Sequence, residues 1–161
     1  MAQLTKINIK DIELIVYDFD GVLTDNKVLV FTDGREAVFC NRADGLAIGL
    51  IKDRGVKQVI ISTEENKVVE ARANKLQIEV LYGVKDKKTA LVNYCLNHKF
   101  DLKKVLYIGN DVNDLEAMRI VGYPIAPADA NTKIKKLARV VVSTKGGDGV
   151  VRDLWENILQ F

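Results

Sequence analysis

Six short apolar runs punctuate the chain, at Glu13 to Tyr17, Lys57 to Ile61, Glu79 to Leu81, Val105 to Ile108, Tyr123 to Ala126 and Arg139 to Val142. They are unbroken rather than alternating, the pattern of strands buried on both faces. Between them apolar residues recur three and four apart, as in Leu46, Leu50 and Ile51 or Leu91, Tyr94 and Cys95, which predicts amphipathic helices. The resulting βαβα order calls for a parallel sheet with helices on both faces, a three-layer Rossmann-like α/β fold. Gly55 and Gly122 stand where helices should stop, and Ser62 followed by Glu65 reads as a capping box. One stretch departs from the alternation. Lys27 to Phe31 and Glu36 to Cys40 look extended around a Thr-Asp-Gly-Arg turn, which predicts a β-hairpin insert over about 24–41.

Length adds that one core is expected, so residues 1–161 read as a single domain without repeats or a linker. The charge balance, 24 basic against 22 acidic residues, offers neither a nucleic-acid stripe nor a membrane-binding excess. The basic residues at Lys85 to Lys88 and Lys133 to Lys136 are diluted by acids and lack aromatic stacking partners, so they read as solvated helix faces. Cys40 and Cys95 match no metal spacing and read as small apolar residues of a reducing compartment. The opening MAQLTKINIK has no apolar stretch of signal-peptide length, and a cytoplasmic protein is expected.

The candidate chemistry lies at strand ends. The first run ends in Asp18-Phe19-Asp20-Gly21-Val22-Leu23-Thr24, and in a parallel sheet the carboxyl ends of strands form the ligand crevice. Residues two apart in extended chain share a face, so Asp18 and Asp20 address one bound species. Their mutual repulsion implies a hard cation, Mg²⁺, which leaves room for phosphate oxygens. Phosphoryl transfer through an aspartyl phosphate needs a carboxylate nucleophile, the role expected of Asp18. It also needs an acid that later serves as base, the role expected of Asp20. A second acidic strand end, Gly109-Asn110-Asp111-Val112-Asn113-Asp114, would complete the metal shell. Ser62 and Thr63 end another strand, with hydroxyls suited to a phosphate oxygen, and Lys87 would balance the accumulated negative charge.

This order of motifs resembles the haloacid dehalogenase superfamily of phosphatases over nearly the whole chain. The hairpin in place of a cap domain, Asn41-Arg42-Ala43-Asp44-Gly45, and the closing Lys145-Gly146-Gly147-Asp148-Gly149-Val150-Val151-Arg152 resemble the 3-deoxy-D-manno-octulosonate 8-phosphate phosphatase group. The resemblance implies catalytic roles for Asp18, Asp20, Ser62 and Lys87, and metal ligation by Asp18, Asp20, Asn110, Asp111 and Asp114. It further implies substrate contacts from Thr63, Glu64, Arg72, Asn41, Asp44 and Gly45, and a homotetramer whose hairpins associate. Two positions depart from the group's usual pattern: Asn110 stands where an Asp is typical, and Ser62-Thr63-Glu64 stands where Thr-Gly-Arg is typical. Both look more like the branch acting on nine-carbon 2-keto-3-deoxy acids, which includes the phosphatase-like domains of acylneuraminate cytidylyltransferases. The expected activity is therefore Mg²⁺-dependent hydrolysis of a sugar-acid phosphate of eight or nine carbons.

Two other readings compete. A signalling receiver also combines clustered acids, a Ser/Thr and a Lys, but it places its phosphorylated Asp at a middle strand end, where this chain has Ser62. A non-catalytic oligomerisation module would explain Asn110, but it would not need Asp18, Asp20 and Lys87. His98, far in sequence from every motif, carries no expected role.

Overall fold

The computed structural model describes residues 6–161; Met1 to Thr5, the start of the segment read above for a targeting signal, lie outside the described residues. The strands are β1 (Ile7–Asn8), β2 (Leu14–Tyr17), β3 (Leu29–Val30), β4 (Glu36–Ala37), β5 (Lys57–Ile61), β6 (Glu79–Leu81), β7 (Val105–Ile108), β8 (Tyr123–Ala126), β9 (Val140–Val141) and β10 (Leu159–Gln160). The helices are α1 (Arg42–Asp53), α2 (Val68–Leu76), α3 (Lys87–His98), α4 (Leu115–Met118), α5 (Thr132–Leu137) and α6 (Val150–Asp153). A six-stranded parallel sheet runs in the order β6-β5-β2-β7-β8-β9. β3 and β4 form a small antiparallel hairpin outside it.

The unbroken apolar runs are explained by what covers each face. Ile15 and Tyr17 of β2 enter one core with Ala47, Ile48 and Ile51 of α1, Val69 and Ala73 of α2, and Val150 and Val151 of α6. Leu14 and Val16 enter the other, with Leu91, Tyr94 and Cys95 of α3, Ala117 and Met118 of α4, and Ile134 of α5. Successive strand residues point to opposite faces, so a strand covered on both sides must be apolar at every position. Each such side chain contributes roughly 1.5–3 kcal/mol on burial, which fixes the register of the central strands.

From β2 the chain winds outward to β5 and β6, then crosses back to β7 on the opposite flank of β2 and proceeds to β8 and β9. The crevice at such a reversal, outside the carboxyl ends of the two central strands, is where ligands of open α/β sheets bind. Here those ends are Tyr17-Asp18 and Ile108-Gly109, joined by a hydrogen bond from Asp18 N to Ile108 O (2.9 Å).

Several local expectations change. Leu46 is 60% exposed; α1 turns Asp44, Ala47, Ile48 and Ile51 inward instead, because apolar residues on several sides of this helix leave its inner face ambiguous in the sequence. Ser62 and Glu65 do not cap a helix, since α2 begins only at Val68. Ser62 is still tied to the sheet by Ser62 N to Leu81 O (2.8 Å), and Val68 N is received by Asn66 Oδ1 (3.0 Å). Gly122 lies four residues beyond Met118, the end of α4, and is needed because a Cβ there would overlap the Lys103 carbonyl. The short parallel pairing of β1 with β10, which ties the two ends of the described chain together, has no signal in the sequence pattern.

Candidate active site

β2 and β7 deliver two loops to the crevice. Asp18 leaves β2 in extended conformation, and its Oδ1 accepts from Phe19 N (2.7 Å). The chain then turns at Gly21 with φ +82°, and any Cβ there would fall on the Asn110 side chain. Glycine therefore serves twice, by supplying the positive φ and by letting the two loops touch. Thr24, fully buried, fixes the turn by accepting from Gly21 N (3.3 Å) and facing Asp20 Oδ1 at 3.5 Å.

A hollow of about 200 Å³ opens between these loops, lined by Asp18, Asp20, Asn26, Thr63, Asn110 and Asp111 together with Val112 and Asn113. Lys87, at the first position of α3, is buried against the Asp18 side chain that lines the hollow. Its Nζ lies 2.7 Å from Asp18 Oδ1 and 2.7 Å from Asp114 Oδ1. Burial works against the Lys87 ammonium, but the charges of Asp18 and Asp114 outweigh it and raise its pKa, so the lysine is a cation. Burial first, and then the Asp114 charge, push the Asp18 carboxyl up, with Lys87 pulling it back. Asp20, partly buried, is raised by burial and by the nearby Glu64 charge, against the Thr24 hydroxyl and Lys87.

Asp114 is fully buried and receives four donors: Lys87 Nζ (2.7 Å) and Tyr107 OH (2.9 Å) at Oδ1, and Asn110 N (3.0 Å) and Asp111 N (3.3 Å) at Oδ2. It does not line the hollow. Its placement departs from the expected metal ligand: the carboxylate stands behind Lys87 and closes the Asn110–Asp111 loop. Tyr107, whose phenol is pushed up by burial, had no role in the sequence reading; a tyrosine within an otherwise aliphatic strand was its only signal.

Three buried or partly buried carboxylates, Asp18, Asp20 and Asp114, thus share one ammonium, an excess of negative charge that invites a further cation. The buried Oδ1 of Asn110 has no hydrogen-bond partner. A buried oxygen without a donor, beside two carboxylates at the wall of one hollow, fits a hard divalent ion. Among the described residues no three His, Cys, Asp or Glu side chains cluster to hold a metal; Asp18 and Asp20 line the hollow together with the amide of Asn110.

The remaining expected residues divide. Thr63 lines the hollow, whereas Ser62 is buried and does not, its Oγ accepting from Glu64 N (3.1 Å). Glu64 Oε1 accepts from Asn66 N (2.8 Å). Arg72 donates through Nη2 to Asn41 O (2.9 Å) and lines a separate groove of about 570 Å³ with Gly45, Arg42, Lys52 and Lys75. Asn41 caps α1 through Ala43 N (2.8 Å). Asp44, 1% exposed, turns away from both hollows and accepts from Val151 N (2.8 Å) and Arg152 N (3.1 Å). Asn26 and Asn113, both on the wall of the hollow, were not singled out, because asparagines in loops carry no distinctive pattern.

The pattern of the haloacid dehalogenase-like hydrolases matches residues 47–154. The chain is 34% identical to the 3-deoxy-D-manno-octulosonate 8-phosphate phosphatase of Yersinia pestis, over 92% of this chain and 80% of that protein. It is 30% identical to the N-acylneuraminate cytidylyltransferase of Oncorhynchus mykiss, over 92% of this chain but 35% of that much longer protein. A haloacid dehalogenase family hydrolase from Streptomyces avermitilis superposes with a TM-score of 0.93 at 44% identity, over 96% of this chain and 88% of its own. The Moraxella catarrhalis octulosonate phosphatase, solved with magnesium, phosphate and 3-deoxy-D-manno-octulosonate, superposes with a TM-score of 0.88 at 31% identity, over 92% and 86%.

Proposed function

The chain belongs to the haloacid dehalogenase-like hydrolases, among the octulosonate 8-phosphate phosphatases, and we propose that it hydrolyses the terminal phosphomonoester of a 2-keto-3-deoxy sugar acid. The observation that carries this reading is the buried Asp18–Lys87–Asp114 line opening onto a hollow walled by Asp20 and the unpartnered Asn110 Oδ1. Asp18 attacks phosphorus through a carboxylate oxygen and forms an aspartyl phosphate. Asp20 gives its proton to the departing sugar oxygen and then takes one from the water that hydrolyses the intermediate; its raised pKa suits the acid role. Lys87 orients Asp18 and offsets charge on the phosphoryl oxygens. Thr63 stands on the wall to meet one of those oxygens.

Asp18, Asp20 and Asn110, with Asp111 beside them, would hold Mg²⁺, which when bound supplies positive charge against the transferring phosphoryl group. Asp114 serves as the holder of Lys87. Ser62-Thr63-Glu64, without the arginine typical of octulosonate phosphatases, favours a nine-carbon acid such as N-acetylneuraminate 9-phosphate over the eight-carbon one. A cytoplasmic homotetramer completes the proposal. Val28, Leu29, Val30, Phe31 and Phe39 of the hairpin region are all exposed, an apolar patch that a second copy would cover.

Phosphate release from both sugar-acid phosphates, with and without added Mg²⁺, tests the reading on the wild-type chain and on Asp18→Asn. Metal-stimulated release that vanishes in the variant is expected. No release from either substrate would favour the non-catalytic module that the cytidylyltransferase match also allows.

A further inference from the structure

α6 is preceded at its N-cap by Gly149, which has φ +105° and no side chain with which to cap the helix. The first N–H groups of a helix have no partner within it and need an acceptor from elsewhere. Asp153 N reaches Gly149 O (2.9 Å), while Val151 N and Arg152 N are received by Asp44 Oδ1, from the first turn of α1. The cap of this helix is thus a buried carboxylate more than a hundred residues away in sequence.

Just before α6 the chain is pressed on the loop that carries Asp20. A Cβ at Gly146 would collide with the Gly21 carbonyl, and one at Gly147 with the backbone of Thr24 and Asp25. Gly147 N donates to Val22 O (3.1 Å). Gly146 N donates to Asp129 Oδ1 (2.9 Å), so the glycine pair is held from the side of β8 as well. Two stretches of backbone in direct contact transmit displacement, because close-packed atoms have no slack.

We propose that Asp44 is a positioning residue: by holding the start of α6 it keeps Gly146 and Gly147 seated against the Gly21–Asp25 backbone and so places the Asp20 carboxyl at the leaving oxygen. This rests on the reading of Asp20 as the acid above. Asp44 touches neither the hollow nor the reacting atoms, and acts only through the chain it holds.

The test is leaving-group dependence in a single turnover. p-Nitrophenyl phosphate departs without a proton, whereas the sugar alkoxide of whichever sugar-acid phosphate the wild type hydrolyses needs one from Asp20. In Asp44→Ala, sugar release is expected to fall about tenfold further than p-nitrophenolate release, since a misplaced acid harms only the step that uses it. Asp44→Asn, which keeps an acceptor oxygen, should restore the ratio. Gly146→Ala, which wedges the contact from its other end, should reproduce the bias should Asp44→Ala fail to fold. Equal losses on both substrates, or none, in the folded variants would overturn the proposal. Asp20→Asn is the control: if it biases the ratio and the Asp44 and Gly146 variants do not, only the role of Asp44 falls; if it shows no bias, the acid role of Asp20 falls and the proposal with it.

Discussion

Lys87 Nζ lies 2.7 Å from Asp18 Oδ1, and the two side chains are buried together at the junction of α3 and β2. The same nitrogen holds Asp114 at 2.7 Å, so one ammonium separates two carboxylates. Removing it leaves both acids buried and uncompensated. Lys87→Met should therefore lose about 3–5 kcal/mol of stability in denaturant titration, along with its activity. The double variant Lys87→Met/Asp114→Asn should recover part of that stability, because one of the two repelling charges is gone.

Asp114 holds Lys87 and the Asn110–Asp111 loop without reaching the hollow. Asp114→Asn should lower kcat sharply and, because the Asn110–Asp111 loop loses its anchor, weaken Mg²⁺ binding measured by calorimetry by about 10- to 100-fold.

Asn110 contributes an uncharged oxygen to the wall of the hollow. In Asn110→Asp a further negative charge faces the cation, so Mg²⁺ should bind about tenfold or more tightly by calorimetry. Chelation of divalent ions should abolish phosphate release from the wild-type chain, and added Mg²⁺ should restore it.

Burial raises the Asp44 carboxyl from 3.8 to about 6, against the N–H groups of Arg152 and Val151 and the charge of Arg72. A folded-state pKa above the unfolded one means that the folded protein binds more protons between the two values. The contribution of Asp44 to stability is therefore fully present below pH 3.8 and is lost as pH rises through about 6. Thermal denaturation of Asp44→Asn across pH 4 to 7 should show a smaller decline with pH than the wild type.

The hairpin exposes Leu29 by 53% and Val30 by 61%, with Phe39 beside it at 76%. In the proposed homotetramer, Val30→Asp should shift the mass toward monomer in light scattering without lowering the helical signal in circular dichroism, because the side chain is mostly exposed in its own chain. An unchanged mass would remove the hairpin from any interface.

Much of the fold was legible in the chain. The apolar runs ending at Tyr17 and Ile108 mark strands covered on both sides, and covered strands that alternate with helices dictate a parallel sheet. The acids after those strands fall at its carboxyl edge by the same pattern. α2 starts five residues later than a cap at Ser62 implies, since the hydroxyl of Ser62 caps Glu64 N as readily as a helix start.

The sequence by itself therefore determined the sheet and the hairpin, because each follows from patterns among residues near one another in the chain. It put Asp18, Asp20 and the Asn110 loop at strand ends that a parallel sheet brings to one edge, and only the order of motifs singled out Lys87. Only the tertiary structure decided that Thr63 rather than Ser62 faces the hollow, that Asp114 serves Lys87, and that Asp44 caps a helix at the far end of the chain. Carboxylates and hydroxyls take whichever donor packing brings within 3 Å. For residues a hundred positions apart that choice is made by the packing of whole layers, and no local pattern carries it.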